Sequence, residues 1–278
     1  MGKVIAVVNQ KGGVGKTTTS INLAASLANA GKRVLLIDTD PQGNTTVGLG
    51  FDKEKLELSI YDILIGRKSL EEVIIKTEVK NMHIAPANIH LSGAEVELVN
   101  TIARETKLRQ ALISVKPDYD YILIDCPPSL GLITINTLTA AETVLIPIQC
   151  EFYALDGVGQ LLRTIILVKN GLNPALHIEG VLLTMCDLRT NLSVQVMQEI
   201  KKRFQNKVYN TVIPRNVKLS EAPSFGKPIS EYDERCIGAI AYKNLAEEII
   251  ERHQLENQNN NSAVTPASIS SVEQPNVI

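Results

Sequence analysis

The chain has 278 residues, 44% of them hydrophobic, with no tryptophan and only 4% aromatics. That length suits one large α/β domain or two small ones and buries a core without staples, so Val, Ile, Leu and Ala must fill it. A net charge of −2 excludes a globally basic nucleic-acid binder and leaves only a local patch for that role. No apolar run reaches the roughly 18 residues of a membrane span.

The N-terminal MGKVIAVVNQ is too short in its apolar run for a signal peptide and shows no cleavage site. A cytosolic chain is therefore expected. Cys126, Cys150, Cys186 and Cys236 lack CxxC spacing and are read as reduced, mostly buried thiols.

In chain order, Lys3 to Val8 is a β-branched apolar run, read as a strand buried on both faces. Glycines follow, then Thr17 to Ala30 with Ile21, Ala24, Ala25, Leu27 and Ala28 at helical spacing and Gly31 as its stop. Arg33 to Ile37 is a second strand ending at Asp38, which completes a βαβ unit. Met82 to Ala85 is a strand, Leu91 to Ser114 one amphipathic helix, and Tyr121 to Ile124 a strand ending at Asp125. Strands over 143–147, 178–184 and 208–213 alternate with helices over 156–169, 193–204 and 237–253. This alternation predicts a single α/β domain over 1–254, with a mostly parallel sheet flanked by helices on both faces. From Leu255 to Ile278 the composition turns to Asn, Ser, Gln and Pro, which predicts a disordered polar tail.

The segment Lys11-Gly12-Gly13-Val14-Gly15-Lys16-Thr17-Thr18 carries the strongest chemistry. Its end fits GxxxxGK[ST], but Gln10 stands where the first glycine belongs, and a second lysine, Lys11, enters. Glycines let backbone N–H groups face the oxygens of a triphosphate, and a helix start near Lys16 adds its positive end. Lys16 suits the β- and γ-phosphates, and the Thr17 hydroxyl suits Mg²⁺. Asp38 and Asp40, two residues apart past a strand, point the same way into a crevice. Asp38 reads either as a holder of metal-bound water or as a plain strand-end cap. Asp125 ends YILID, the form that holds Mg²⁺ directly or through water.

KGGVGKTT after a strand, then DTDPQGN, then DCPPSLG, in that order, resemble the deviant-Walker P-loop ATPases of the ParA/MinD class. Residues 1 to about 253 are similar to the ParA/Soj chromosome-partitioning branch, with RTN at 189–191 and IPRNVKLSEAPSFGKPI at 213–229 especially close. The resemblance makes Lys11 the lysine that reaches a partner's phosphates, and so implies an ATP-bound homodimer. It makes Asp40 the residue for hydrolysis and Asp38 part of the metal's outer shell. Pro214 and Asn216 then face the adenine. It implies ATP and Mg²⁺ as cofactors, and as partners non-specific double-stranded DNA and a ParB/Spo0J-like protein, on the nucleoid of the cytoplasm.

Residues 187–235 hold nine bases and six acids, and Arg189 and Lys218 match the family's DNA-contacting positions. Lys201, Lys202 and Arg203 read as a solvated helix face. A MinD-like membrane-cycling regulator is the alternative, but it needs a basic amphipathic C-terminal helix, whereas the last helix here carries Glu247, Glu248 and Glu251. An iron–sulfur carrier needs paired interface cysteines, which the spacing does not offer.

Overall fold

The structure, a computed structural model, describes residues 2–151, 158–187 and 189–262, the side chains of 260–262 excepted. In chain order the elements are β1 (Lys3–Val7), α1 (Lys16–Asn29), β2 (Val34–Asp38), α2 (Asn44–Gly48), α3 (Ile60–Leu64), α4 (Leu70–Val73), β3 (Ile75–Lys76), β4 (Met82–Ala85), α5 (Leu91–Leu98) and α6 (Lys107–Val115). There follow β5 (Tyr121–Asp125), α7 (Leu132–Ala140), β6 (Thr143–Gln149), α8 (Val158–Gly171), β7 (His177–Cys186), α9 (Asn191–Phe204), β8 (Val208–Pro214), α10 (Val217–Glu221), α11 (Ile229–Tyr232) and α12 (Ile237–Ser262).

Eight strands form one sheet in the order β3-β4-β2-β5-β1-β6-β7-β8. All neighbours run parallel except the short edge pair β3–β4. Successive strand residues face opposite sides, which divides the core in two. Val4, Ala6, Leu35, Ile37, Ile122 and Ile124 pack under α5 to α9. Ile5, Val7, Val34, Leu36 and Leu123 pack under α1 and α12. Burial on both faces explains why the strands read as unbroken apolar runs rather than alternating ones. It also sends the carboxyl ends of β1, β2 and β5 to one edge, where parallel sheets bind ligands.

Three expectations change. The helix expected over Leu91 to Ser114 is broken between Leu98 and Lys107. Ala103 takes φ 55°, which no continuing helix permits. Asn136 of α7 donates to Arg104 O (2.8 Å) and accepts from Leu108 N–H (3.4 Å), capping the start of α6 from outside. The polar tail expected from Leu255 begins as helix: α12 continues to Ser262, and no Gly or Pro interrupts that stretch. The rest of the expected tail, 263–278, lies outside the described residues.

The thiols also differ from expectation. Pairing of β6 with β7 brings the Cα atoms of Cys150 and Cys186 to 5.3 Å, within disulfide reach, and the two are joined. Cys126 (buried) and Cys236 (half-buried) are free.

Candidate nucleotide site

The loop between β1 and α1 turns through two glycines with left-handed backbone, Gly13 (φ 74°) and Gly15 (φ 87°), a conformation that side chains with a Cβ resist. A Cβ on Gly12 or Gly13 would meet no atom within 4 Å. Internal packing therefore does not select glycine at either position; at Gly13 the left-handed backbone does. Val14 anchors the loop by burial, and Thr184 Oγ1 donates to Val14 O (2.8 Å), tying the loop to β7. Lys16, the first residue of α1, is 7% exposed, and its Nζ donates to Lys11 O (3.1 Å). Burial holds its ammonium below the usual lysine range, opposed by the charges of Asp125 and Asp40.

Opposite this loop, Asp38 and Asp125 stand side by side in register at the ends of β2 and β5. Both are fully buried. Asp125 accepts from Thr17 Oγ1 (2.9 Å), Ser20 Oγ (2.9 Å) and Thr45 Oγ1 (2.7 Å). Asp38 accepts from Asp40 N–H (3.1 Å), Thr46 N–H (2.9 Å) and Thr46 Oγ1 (2.7 Å). Burial, reinforced by the charge of Asp125, pushes Asp38 up to about 7. Burial pushes Asp125 up to about 6, against the pull of its three hydroxyl donors. Two buried carboxyls side by side are oxygen donors of the kind that a hard cation takes. Asp40, also buried, accepts from Gln42 N–H (2.9 Å) at the head of the turn leading into α2.

These residues make a set of oxygen donors suited to Mg²⁺: the Thr17 hydroxyl directly against the Asp125 carboxylate, with Asp38 beside it. Thr17, Asp38, Asp40, Asp125 and Lys16 come together at one end of the sheet. Lys11 lies outside that group. It is partly exposed, its N–H donates to Asn9 Oδ1 (3.0 Å), and its Nζ faces Glu151 (4.0 Å). Cys126 is buried and its thiol is pushed up by burial, as expected of a packing residue.

A cavity of about 350 Å³ adjoins the loop. Gly15 and Thr18 line one side, and Met185, Pro214, Arg215 and Asn216 the other. Met185 holds φ 51°, a strained backbone of the kind that clusters at ligand sites. Asn216 Oδ1 accepts from Lys218 N–H (2.8 Å) and so caps α10. The side chains of the two candidate DNA residues lie on the surface. Arg189 is paired to Asp187 (2.7 Å) with 89% of its side chain exposed. Lys218 lies between Glu221 (3.9 Å) and Asp233 (3.8 Å), over the Tyr232 ring.

Sequence reasoning missed Ser20, Thr45, Thr46 and Glu151. Ser20 was findable, because it lies three residues after Thr17 and shares its helix face. Thr45 and Thr46 gave no signal, being hydroxyls on a short helix some eighty residues from Asp125.

Comparison with known proteins identifies the family. Residues 2–178 match the family described as an AAA domain. The sporulation initiation inhibitor protein Soj of Bacillus subtilis is 61% identical over 249 residues, covering 90% of this chain and 98% of that protein. The chromosome partitioning protein ParA of Myxococcus xanthus is 53% identical over 252 residues, covering 91% and 89%. Cobyrinic acid a,c-diamide synthase of Mycobacterium smegmatis, solved with an ATP analog and magnesium, superposes with TM-score 0.81 at 41% identity, covering 92% and 97%. Fold, phosphate loop and these likenesses together place the chain in the Soj/ParA family of P-loop ATPases.

Proposed function

We propose that this chain is an ATPase that dimerises when it holds ATP, binds duplex DNA without sequence preference, and partitions chromosome or plasmid DNA with a ParB-like protein. The observation that carries the reading is the convergence of Lys16, Thr17, Asp38, Asp40 and Asp125 beside a glycine loop at the carboxyl ends of parallel strands. Residues 1–254 form the ATPase domain, and the chain works in the cytoplasm on the nucleoid.

The loop from Lys11 to Thr18 holds the phosphates: backbone N–H groups at Gly12, Gly13, Val14 and Gly15 face the oxygens, and Lys16 spans to the β- and γ-phosphates. Thr17 and Asp125 hold Mg²⁺, with Asp38 in its outer shell; the ion would neutralise charge developing on the phosphates. Asp40 orients the attacking water. Pro214 and Asn216 contact the adenine, Asn216 through the amide N–H₂ left over from its cap. Lys11 sits on the surface, where a partner's phosphates are within reach of a small rotation away from Glu151. Arg189 and Lys218 exchange their acidic partners for DNA phosphates.

α12 carries Glu247, Glu248 and Glu251, the opposite of the basic amphipathic helix that the membrane-cycling alternative needs. The experiment is steady-state ATP hydrolysis, alone and with duplex DNA plus a ParB-like protein. Slow hydrolysis that rises when both are added supports the reading. No hydrolysis under any condition contradicts it.

A further inference from the structure

The Cys150–Cys186 pair lies where the nucleotide site meets the surface. Cys150 follows the last residue of β6, and Cys186 is the last residue of β7. The next residue after Cys150 is Glu151, which faces both Lys11 (4.0 Å) and Arg215 (3.8 Å). Immediately before Cys186 stand Thr184, bonded to Val14 O of the phosphate loop, and the strained Met185 of the cavity wall. Cys186 O accepts from the N–H of Arg215 (3.3 Å), which lines the same cavity. The bond between the cysteines thus staples two strand tips that between them touch the phosphate loop, Lys11 and the base-side cavity.

We propose that Cys150 and Cys186 are a reversible dithiol–disulfide pair that couples the oxidation state of the chain to its nucleotide affinity. In the reducing compartment that the proposed function implies, disulfides are mostly transient and regulatory. A peroxide is a fitting oxidant, because it is small and both cysteines are only 4% exposed. One thiolate attacks a peroxide oxygen, the O–O bond breaks, and a sulfenic acid and water form. The second thiol attacks that sulfur, the S–O bond breaks, and a second water leaves. Two thiols lose two electrons and one peroxide becomes two waters. A dithiol reductant reverses the change by exchange through a mixed disulfide when local opening of the strand tips exposes the bond.

The oxidised form fixes both tips before the nucleotide arrives, so it binds ATP more tightly. By linkage, ATP in turn favours the oxidised pair by the same factor. The coupling rests on the nucleotide reading above; the pairing of the thiols does not.

The test uses the full chain, reduced with dithiothreitol, freed of it, then titrated with hydrogen peroxide. Free thiols are counted by alkylation and mass under denaturant, and Kd for ATP is measured in both forms. The expected result is the joint loss of two thiols as one Cys150–Cys186 crosslink, with Cys126 and Cys236 still alkylated. ATP affinity should be about fivefold or more tighter in the oxidised form. Cys186→Ser and Cys150→Ser should each abolish the crosslink and the peroxide effect, whereas the double variant Cys126→Ser/Cys236→Ser should keep both. Oxidation of the two cysteines one at a time, crosslinks between chains, or equal ATP affinity in the two forms would overturn the proposal. If ATP binds neither form, the nucleotide reading falls and the coupling with it, while the mass count still decides the pairing.

Discussion

The sheet buries carboxylates at both of its ends, and the two ends treat them in opposite ways. At the amino end, Glu179 of β7 meets His253 Nε2 (2.7 Å) and Lys3 Nζ (3.5 Å), with Tyr121 stacked on the His253 ring. Burial opposes its charge, yet His253 and Lys3 prevail and hold Glu179 down at about 2. At the carboxyl end, Asp38 and Asp125 have hydroxyl and backbone donors but, among the described residues, no cation against them within hydrogen-bond reach, and both are pushed up. The first cluster is electrostatically finished and fastens α12 to the sheet. The second is unfinished by one divalent charge. In the proposed reading, a metal and a nucleotide supply at the carboxyl end the charge that His253 and Lys3 supply at the amino end.

Substitutions at the unfinished end should strike function far harder than stability. Lys16→Ala removes the charge aimed at the phosphates and should lower ATP turnover by about 10³-fold, while the far-ultraviolet circular dichroism stays unchanged. Asp40→Ala should lower turnover by about 10²-fold yet keep ATP and DNA binding, read by filter retention with a slowly hydrolysed analogue; full residual hydrolysis would remove Asp40 from the role. The finished end should show the reverse. Glu179→Ala removes the buried partner of His253, while Lys3 keeps Glu256 (3.1 Å), and should cost about 3–5 kcal/mol in urea unfolding, with turnover of the folded protein little changed.

The smallest effect is on pH. Asp38 and Asp125 keep their protons in the folded chain up to about 7 and about 6, but an unfolded chain releases them near 4. Between those values the folded state binds more protons, so metal-free stability should fall as pH rises from about 4 to 7. Glu179, held low, behaves oppositely: its stabilisation is present above its unfolded value and is lost as pH falls toward 2. Thermal melts of the metal-free chain against pH should show the first slope, and Asp38→Asn should flatten it.

What the sequence disclosed follows the same division. Lys16, Thr17, Asp38 and Asp125 were legible because each ends or starts an element whose apolar run is unmistakable, and strand ends in a parallel sheet point at ligands. The two-faced core was legible from the β-branched runs. The hydroxyls of Thr45 and Thr46 were not, because a threonine on a five-residue helix carries no pattern, and its partner lies in another strand. The Cys150–Cys186 contact depends on β6 lying beside β7, a pairing between residues 36 apart that spacing does not encode. The break after Leu98 was hidden because the apolar spacing continues across it through Val99 and Ile102, both of which face solvent. His253 and Glu179 looked like ordinary members of a helix and a strand, and only the fold brings them together.

Duplex DNA binding measured with Mg²⁺ and ATP, with ADP, and without nucleotide tests the central claim most directly. A nucleotide switch binds DNA with ATP alone, and that binding weakens steeply as salt rises. Equal binding in all three conditions would contradict it.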